Sequence, residues 1–400
     1  MSNICYILSI SYIIVLILFF VKMARNNGFF LYSPLFLIYI PFITGDLLPA
    51  LSYANQDKLP DNVQYVIIST IIIYSAFLFL YRKQFTTPLS IKFPEHWRSS
   101  EYSSKRIILY LVLVFILLLT GLMTGVTIGI LSGANVEGLR RTSEIGIGFL
   151  REIPYMGVCV MTLVFLMAYC KEKVLKAGII CLSLGLFFFL ITGHKGGLLR
   201  FALIFLAYFC FCHRNLKWYE VIAYYSIIPI AAGILQVIRQ GGKNFLESII
   251  FFQSYSNVLF EANTLAVMRR VEGYFYWGEE YFTGLVKIIP RFLWSNKPLS
   301  FDYTLKELVG YEWEGGGIPI NTPYSMFINF GYYNWIGLTV WLFIIHSCYN
   351  VLIDPNRSFY TKLVILLSLN STIALFLGNL EVMLLFLLIC AFIYGRTKMI

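Results

Sequence analysis

Apolar runs close to twenty residues long recur along this chain from about residue 4 to about residue 394, separated by short polar stretches. An α-helix needs roughly 20 residues to cross the hydrocarbon core of a bilayer, where only helices and closed barrels satisfy their own backbone hydrogen bonds. The runs lie at about 4 to 21, 29 to 51, 63 to 81, 107 to 131, 154 to 170, 174 to 192, 198 to 212, 219 to 238, 334 to 353, 360 to 377 and 379 to 394. They predict an all-α fold, a polytopic transmembrane helical bundle of about 11 spans. A soluble core could not absorb a mean hydropathy of +0.74 spread over 400 residues, of which only 13% are charged.

Three parts follow from this pattern: an N-terminal bundle of about eight spans at 1–238, a large loop outside the membrane at 239–323, and C-terminal spans at 324–400. The first run lacks a basic leader and a small-residue cleavage site, so it is expected to stay as an anchor. Orientation comes from Lys and Arg. With the N-terminus outside, the cytoplasmic loops hold Lys22, Arg25, Arg82, Lys83, Lys92, Arg98, Lys105, Arg106, Lys171, Lys173, Lys176, Arg214, Lys217, Arg357, Lys362, Arg396 and Lys398. The short outer loops hold only Lys58, Arg140, Arg141, Arg151, Lys195 and Arg200. That asymmetry places the C-terminus in the cytoplasm and the long loop outside.

Much of the net charge of +10 is this same bias, which orients helices and attracts anionic lipids, and no nucleic-acid module accompanies it. The eight cysteines fall almost wholly within apolar runs, and none lies in the long loop, so neither a disulfide frame nor a thiolate metal site is expected there. The two halves show no similarity of the kind that marks many transporters.

Cations on the outer side run against the positive-inside bias and so call for another reason to be there. "VEGLRRTSEIGIGFLREIP" at 136–154 groups Arg140, Arg141 and Arg151 with Glu137, Glu144 and Glu152. It reads either as a self-paired interfacial helix or as an anion site, since the guanidinium fork grips phosphate in two places. "ITGHKGGLLR" at 191–200 is a Gly-rich turn carrying His194, Lys195 and Arg200. Its alternatives are a tight hairpin with a snorkelling lysine and an approach to the unpaired N–H groups at the start of the next span. In the long loop Arg239, Arg270, Arg291 and Lys297 alternate with carboxylates, Asp302 among them, and with dense aromatics such as Trp294. Those aromatics suit sugar faces as well as a headgroup belt. "NFLESIIFFQSYSNVLFEANTLAVMRR" is amphipathic enough to lie along the membrane or partly re-enter it.

The succession "IIPRFLWSNKP" at 288–298, then "GGGIPINTPYSMFINFGYYNWIGL", resembles the C-terminal half of Wzy-type O-antigen polymerases, which join oligosaccharide repeat units in bacterial envelopes. A proline-arginine and a lysine-proline pair precede a Gly-rich turn and an asparagine-phenylalanine-glycine that opens the next span. "ITGHKGGLLR" is similar to the family's glycine and basic residue at a span start. The sequence departs from the family at Thr322, Pro323, Tyr324 and Ser325, where a glutamate often stands before the asparagine.

The resemblance implies a GT-C-like bundle with a large periplasmic loop in the bacterial cytoplasmic (inner) membrane. It also implies transfer of a glycan from undecaprenyl diphosphate to a second lipid-linked repeat unit, with membrane lipids, a chain-length regulator and a flippase as partners. No cofactor and no metal are expected, since the first outer loop offers only Asp57 and Asp61. The departing diphosphate needs fixed cations, so Arg291 with Arg140 or Arg141 is assigned to stabilise it. Lys195, Arg200, Arg239, Arg270, Lys297, Trp294 and Asp302 are assigned to binding substrate. The general base stays open among Glu144, His194, Asp302 and Glu272. Asn329 and Gly331 look structural. Asp46, between Pro41 and Pro49, either lines a cavity in a broken helix or sits exposed at the interface. An O-antigen ligase would share donor and loop and differ in acceptor, whereas a flippase would place charges along a central cavity.

Overall fold

The computed structural model describes residues 3–26, 29, 33–54, 59–85, 87, 104–123, 125–133, 148–170, 173–193, 196–212, 216–223, 234, 237–238, 258–270, 277–278, 293–294, 296, 298, 306–310, 320–357, 361–362 and 365–366. Among these the chain is helical, with no strand beyond an isolated bridge between Phe29 and Leu216.

Helix α1 is Asn3–Asn26. It leaves Ile4, Ile7, Ile14, Ile17 and Leu18 exposed, which water would penalise and lipid tails accept. Helix α2 is continuous but uneven: π-helical at Leu35–Tyr39 and Ile43–Leu47, α-helical at Ile40–Phe42 and Leu48–Ala54. Pro41 and Pro49 each withhold an N–H and crowd the preceding turn, which favours widened turns at those places. Helix α3 is Asp61–Leu80.

Helix α4, Ser104–Met123, ends two residues before Gly125, whose φ of 70° is left-handed, and a short α5 follows at Val126–Leu131. The uninterrupted run read at 107–131 is thus two helices. At Gly121 a Cβ would stand 2.7 Å from Thr127 Oγ1 and 2.9 Å from the Ile191 carbonyl oxygen, so the chain turns back at a contact that only glycine allows. Helix α6, Gly148–Phe165, runs on as a π turn at Leu166–Cys170. Helix α7 is Val174–Thr192 and α8 is Gly196–Cys212. Past the long loop come α9, Thr322–Phe330, and α10, Asn334–Ile353.

Among the described residues, five helical segments have the length and hydropathy to cross a membrane: Asn3–Arg25, Leu35–Ser52, Asp61–Leu80, Val174–Thr192 and Thr322–Ile353. Shorter apolar helices lie at Ile108–Met123 and Arg200–Cys210. The tracts expected at 360 to 377 and 379 to 394 fall mostly or wholly outside the described residues, as does most of 219 to 238.

Pairing falls into two sets. Helix α3 packs on α1, α9 and α10, while α4 to α8 pack among themselves, with α7 against α8 and α4 against α6. One apolar core joins both sets. Phe19 of α1 meets Phe79 and Phe85, so α1 and α3 run parallel. Their C-terminal ends, near Lys22, Arg25, Arg82 and Lys83, form a cation end, to which the Phe29–Leu216 bridge adds Lys217. The opposite end, the loop end of the bundle, receives the described pieces of the long loop.

Candidate functional site

Helix α9 organises the loop end. Thr322 to Asn329 are all buried, so this short helix has no solvent-facing side and sits enclosed by its neighbours. Gly331 follows it with φ 58° and ψ −134°, a conformation open to glycine, and the chain turns sharply into α10. The turn brings Gly337 so close that a Cβ there would stand 2.5 Å from Met326 Sδ.

Asn321 precedes α9 at the N-cap position, where an asparagine side chain usually accepts from the first turn's N–H groups. Here it is diverted. Its Nδ2 donates to Asp46 Oδ1 at 2.6 Å, across from the second π turn of α2. The Asn321 backbone N–H donates to Asn263 Oδ1 at 3.3 Å, and Asn263 Nδ2 donates to the Leu259 carbonyl at 2.8 Å. Asp46 is 2% exposed, which excludes simple exposure at the interface. The positive end of the α9 dipole adds to the Asn321 amide in compensating a carboxylate there.

Two further residues fasten the loop to α9. Asn329 accepts from Trp277 N–H through its carbonyl at 2.8 Å and from Gly278 N–H through Oδ1 at 3.1 Å, while its Nδ2 donates to the Ser325 carbonyl at 2.9 Å. The asparagine of the asparagine-phenylalanine-glycine motif thus fixes a turn some fifty residues earlier, where Trp277 takes a positive φ of 49°. Arg269 Nη1 donates to the Leu308 carbonyl at 2.6 Å, joining 258–270 to 306–310. Of the stretch 244–270, read as lying along the membrane or partly re-entering it, the described part, 258–270, is a helix that buries Phe260, Ala262, Asn263, Ala266 and Val267, with Phe260 edge-on to Tyr324.

Among the binding residues expected from sequence, Arg200 places its guanidinium carbon 4.8 Å from the ring centroid of Tyr155, which stacks on Phe188 at 3.7 Å. A guanidinium over a buried ring keeps its charge at the start of α8 with little freedom to swing away. Arg270 closes the helix at 258–270 and is half-buried, and so is Trp294. Arg291, Arg140, Arg141, Glu144, His194, Lys195, Arg239, Lys297 and Asp302 lie outside the described residues.

A second polar cluster lies toward the cation end. His346 is fully buried in α10, with Nδ1 2.7 Å from Gln84 Oε1 and Nε2 2.8 Å from the Tyr39 hydroxyl. Gln84 Nε2 donates to the His346 carbonyl at 3.0 Å and to Asn350 Oδ1 at 2.6 Å, which fixes the amide's orientation. Its Oε1 must then accept, so Nδ1 carries the imidazole proton and Nε2 accepts from Tyr39. Tyr81 stacks on the ring at 4.4 Å. Each of these groups is used up by a neighbour, so the cluster joins α2, α3 and α10 and offers nothing to a ligand.

Sequence reasoning missed Asn321, Asn263 and His346. For His346 the signal was available, an ionisable side chain inside an apolar run. For the two asparagines in a polar loop there was none. No group of three or more His, Cys, Asp or Glu side chains suited to a metal occurs among the described residues. No protein-family model, curated protein or solved structure matches this chain.

Proposed function

We propose that the protein is a polysaccharide polymerase of the cytoplasmic membrane of a bacterium. It joins undecaprenyl-diphosphate-linked oligosaccharide repeat units on the outer face, where the Lys and Arg asymmetry puts the loop end. The reading rests on the resemblance of "IIPRFLWSNKP" and the following motif to O-antigen polymerases.

The observation that carries it furthest is the way the loop is held. Three separate loop pieces are fastened by hydrogen bonds: 258–270 to 320–321, 320–321 to α2, and 277–278 to α9. A connector with no task beyond joining two spans needs no such fastening. A glycosyl transferase acting on lipid-linked substrates does, because its loop must hold donor and acceptor in fixed geometry against the bilayer. In this reading Arg291, with Arg140 or Arg141, neutralises the diphosphate as it leaves, and Lys195, Arg200, Arg239, Arg270 and Lys297 draw it in. Trp294 and Asp302 face sugar. The bundle is GT-C-like, and a chain-length regulator and a flippase act beside it.

The test is reconstitution of the purified full chain in nanodiscs with lipid-linked repeat units. A ladder of lengthened glycans on undecaprenyl diphosphate supports the reading. Transfer to lipid A core alone would make it a ligase, and movement of unchanged substrate between leaflets a flippase.

A further inference from the structure

Trp277 takes its φ of 49° in a turn whose next residue, Gly278, has a φ of 88°. Two successive left-handed residues form a turn that asparagine and glycine adopt readily and a bulky side chain adopts only with strain. Among the described residues Trp277 is the one non-glycine with a positive φ. The side chain returns nothing to the packing: it is 67% exposed and makes no hydrogen bond or ring contact among the described residues. Asparagine or glycine at 277 would relieve the strain and leave no indole in water, so folding alone does not account for a tryptophan there.

The turn is nevertheless held firmly. Trp277 N–H donates to the Asn329 carbonyl at 2.8 Å and Gly278 N–H to Asn329 Oδ1 at 3.1 Å. Asn329 is itself fully buried, with its Nδ2 tied to the Ser325 carbonyl. The enclosed helix α9 thus fixes a strained backbone and presents an exposed indole from it. Strain enforced by its surroundings in this way clusters at ligand clamps and active sites.

Two partners suit an exposed indole at the loop end, lipid headgroups and the apolar face of a sugar ring. Two observations favour the sugar. Tyr333 and Trp335 stand exposed at the start of α10 on backbone of negative φ, so aromatic side chains reach the surface there without strain or clamping. Glu279 and Glu280 follow the turn in sequence, and carboxylates accept from sugar hydroxyls but repel headgroup phosphates. A platform fixed before its ligand arrives also loses less freedom on binding it, which favours capture of a flexible glycan.

We infer that Trp277 is a stacking platform for a sugar ring of the lipid-linked repeat unit, positioned by Asn329. The inference rests on the polymerase reading and assigns this turn to the glycan rather than to the diphosphate.

The experiment uses the full chain in nanodiscs with lipid-linked repeat units extracted from cells lacking this gene, and compares wild type, Trp277→Asn and Trp277→Phe. Asparagine suits the left-handed backbone, so Trp277→Asn is expected to melt at or above the wild-type temperature while its KM for the repeat unit rises about 3- to 10-fold. Trp277→Phe keeps a smaller ring and should show a smaller rise, with kcat close to wild type in both. Brominated lipids quench tryptophans at the bilayer surface, and the emission lost in Trp277→Phe is expected to be emission that they leave unquenched. An unchanged KM in Trp277→Asn, or a rise in KM matched by a fall in melting, would overturn the assignment. Loss of a lipid-quenched component in Trp277→Phe would overturn it too, by placing the indole among the headgroups. Absence of product from wild type itself would instead overturn the polymerase reading, and this inference with it.

Discussion

The amide of Asn321 donates to the carboxylate of Asp46 at 2.6 Å, closing a gap of 275 residues between the second helix and the end of the long loop. The loop end of the bundle is assembled around that bond, since the same asparagine also takes the Asn263 side chain on its backbone N–H.

Removing the donor leaves the buried carboxylate without compensation. Asn321→Ala is expected to destabilise the protein by about 1–3 kcal/mol, and Asn321→Asp by more, since two carboxylates would then meet away from water. The measurement is thermal melting of the detergent-solubilised protein followed by size-exclusion chromatography. Asp46→Asn, which keeps an acceptor oxygen, should melt close to wild type.

The corner at Gly331 offers a second test. Its φ of 58° and ψ of −134° suit no side-chain-bearing residue, so Gly331→Ala is expected to cost about 1–3 kcal/mol in strain. Gly121→Ala should cost a comparable amount for another reason, collision with the Ile191 carbonyl. Equal melting of either variant and wild type would contradict the corresponding contact.

His346 joins three helices through a neutral ring, so its hydrogen bonds should couple energetically. A double-mutant cycle between Tyr39→Phe and His346→Ala, read in reversible unfolding, is expected to give about 0.5–1.7 kcal/mol of coupling. Additive effects would mean that the bond contributes nothing to holding α2 on α10.

The spans were legible because lipid imposes one requirement, a long apolar run, and α1, α3, α7 and α10 meet it almost residue for residue. The fold's interruptions were not. A turn at Gly125 inside an apolar run looks like more of the same span, since the left-handed φ of 70° that breaks the run belongs to the folded backbone and one glycine among apolar residues does not announce it. Helix α9 read as the loop's edge because Thr322–Phe330 is too short to span a membrane by itself, and its residues are buried only where α2, α3 and 258–270 enclose them. Asp46 stood out as an ionisable residue among apolar ones, and Asn329 as structural from its motif. The partner of each, Asn321 for the one and the Trp277–Gly278 turn for the other, is fixed by tertiary contact alone.

Arg200 is held over Tyr155, and that pairing should matter for the donor more than for stability. Arg200→Gln is expected to raise the donor KM several-fold in the nanodisc assay while leaving melting within about 0.5 kcal/mol of wild type. Arg200→Lys, which keeps charge and loses the planar fork, should fall between the two. An unchanged KM in both would remove Arg200 from the binding of the diphosphate.

The central claim, polymerisation at the outer face with Arg291 stabilising the leaving diphosphate, meets its most direct test in a cell lacking this gene. The surface-glycan gel profile would be compared after complementation with wild type and with Arg291→Ala at matched membrane levels. The account predicts a full ladder with wild type and a single-repeat band with Arg291→Ala. A full ladder without the gene would contradict the claim that this protein polymerises, and a full ladder with Arg291→Ala would remove that arginine from the mechanism.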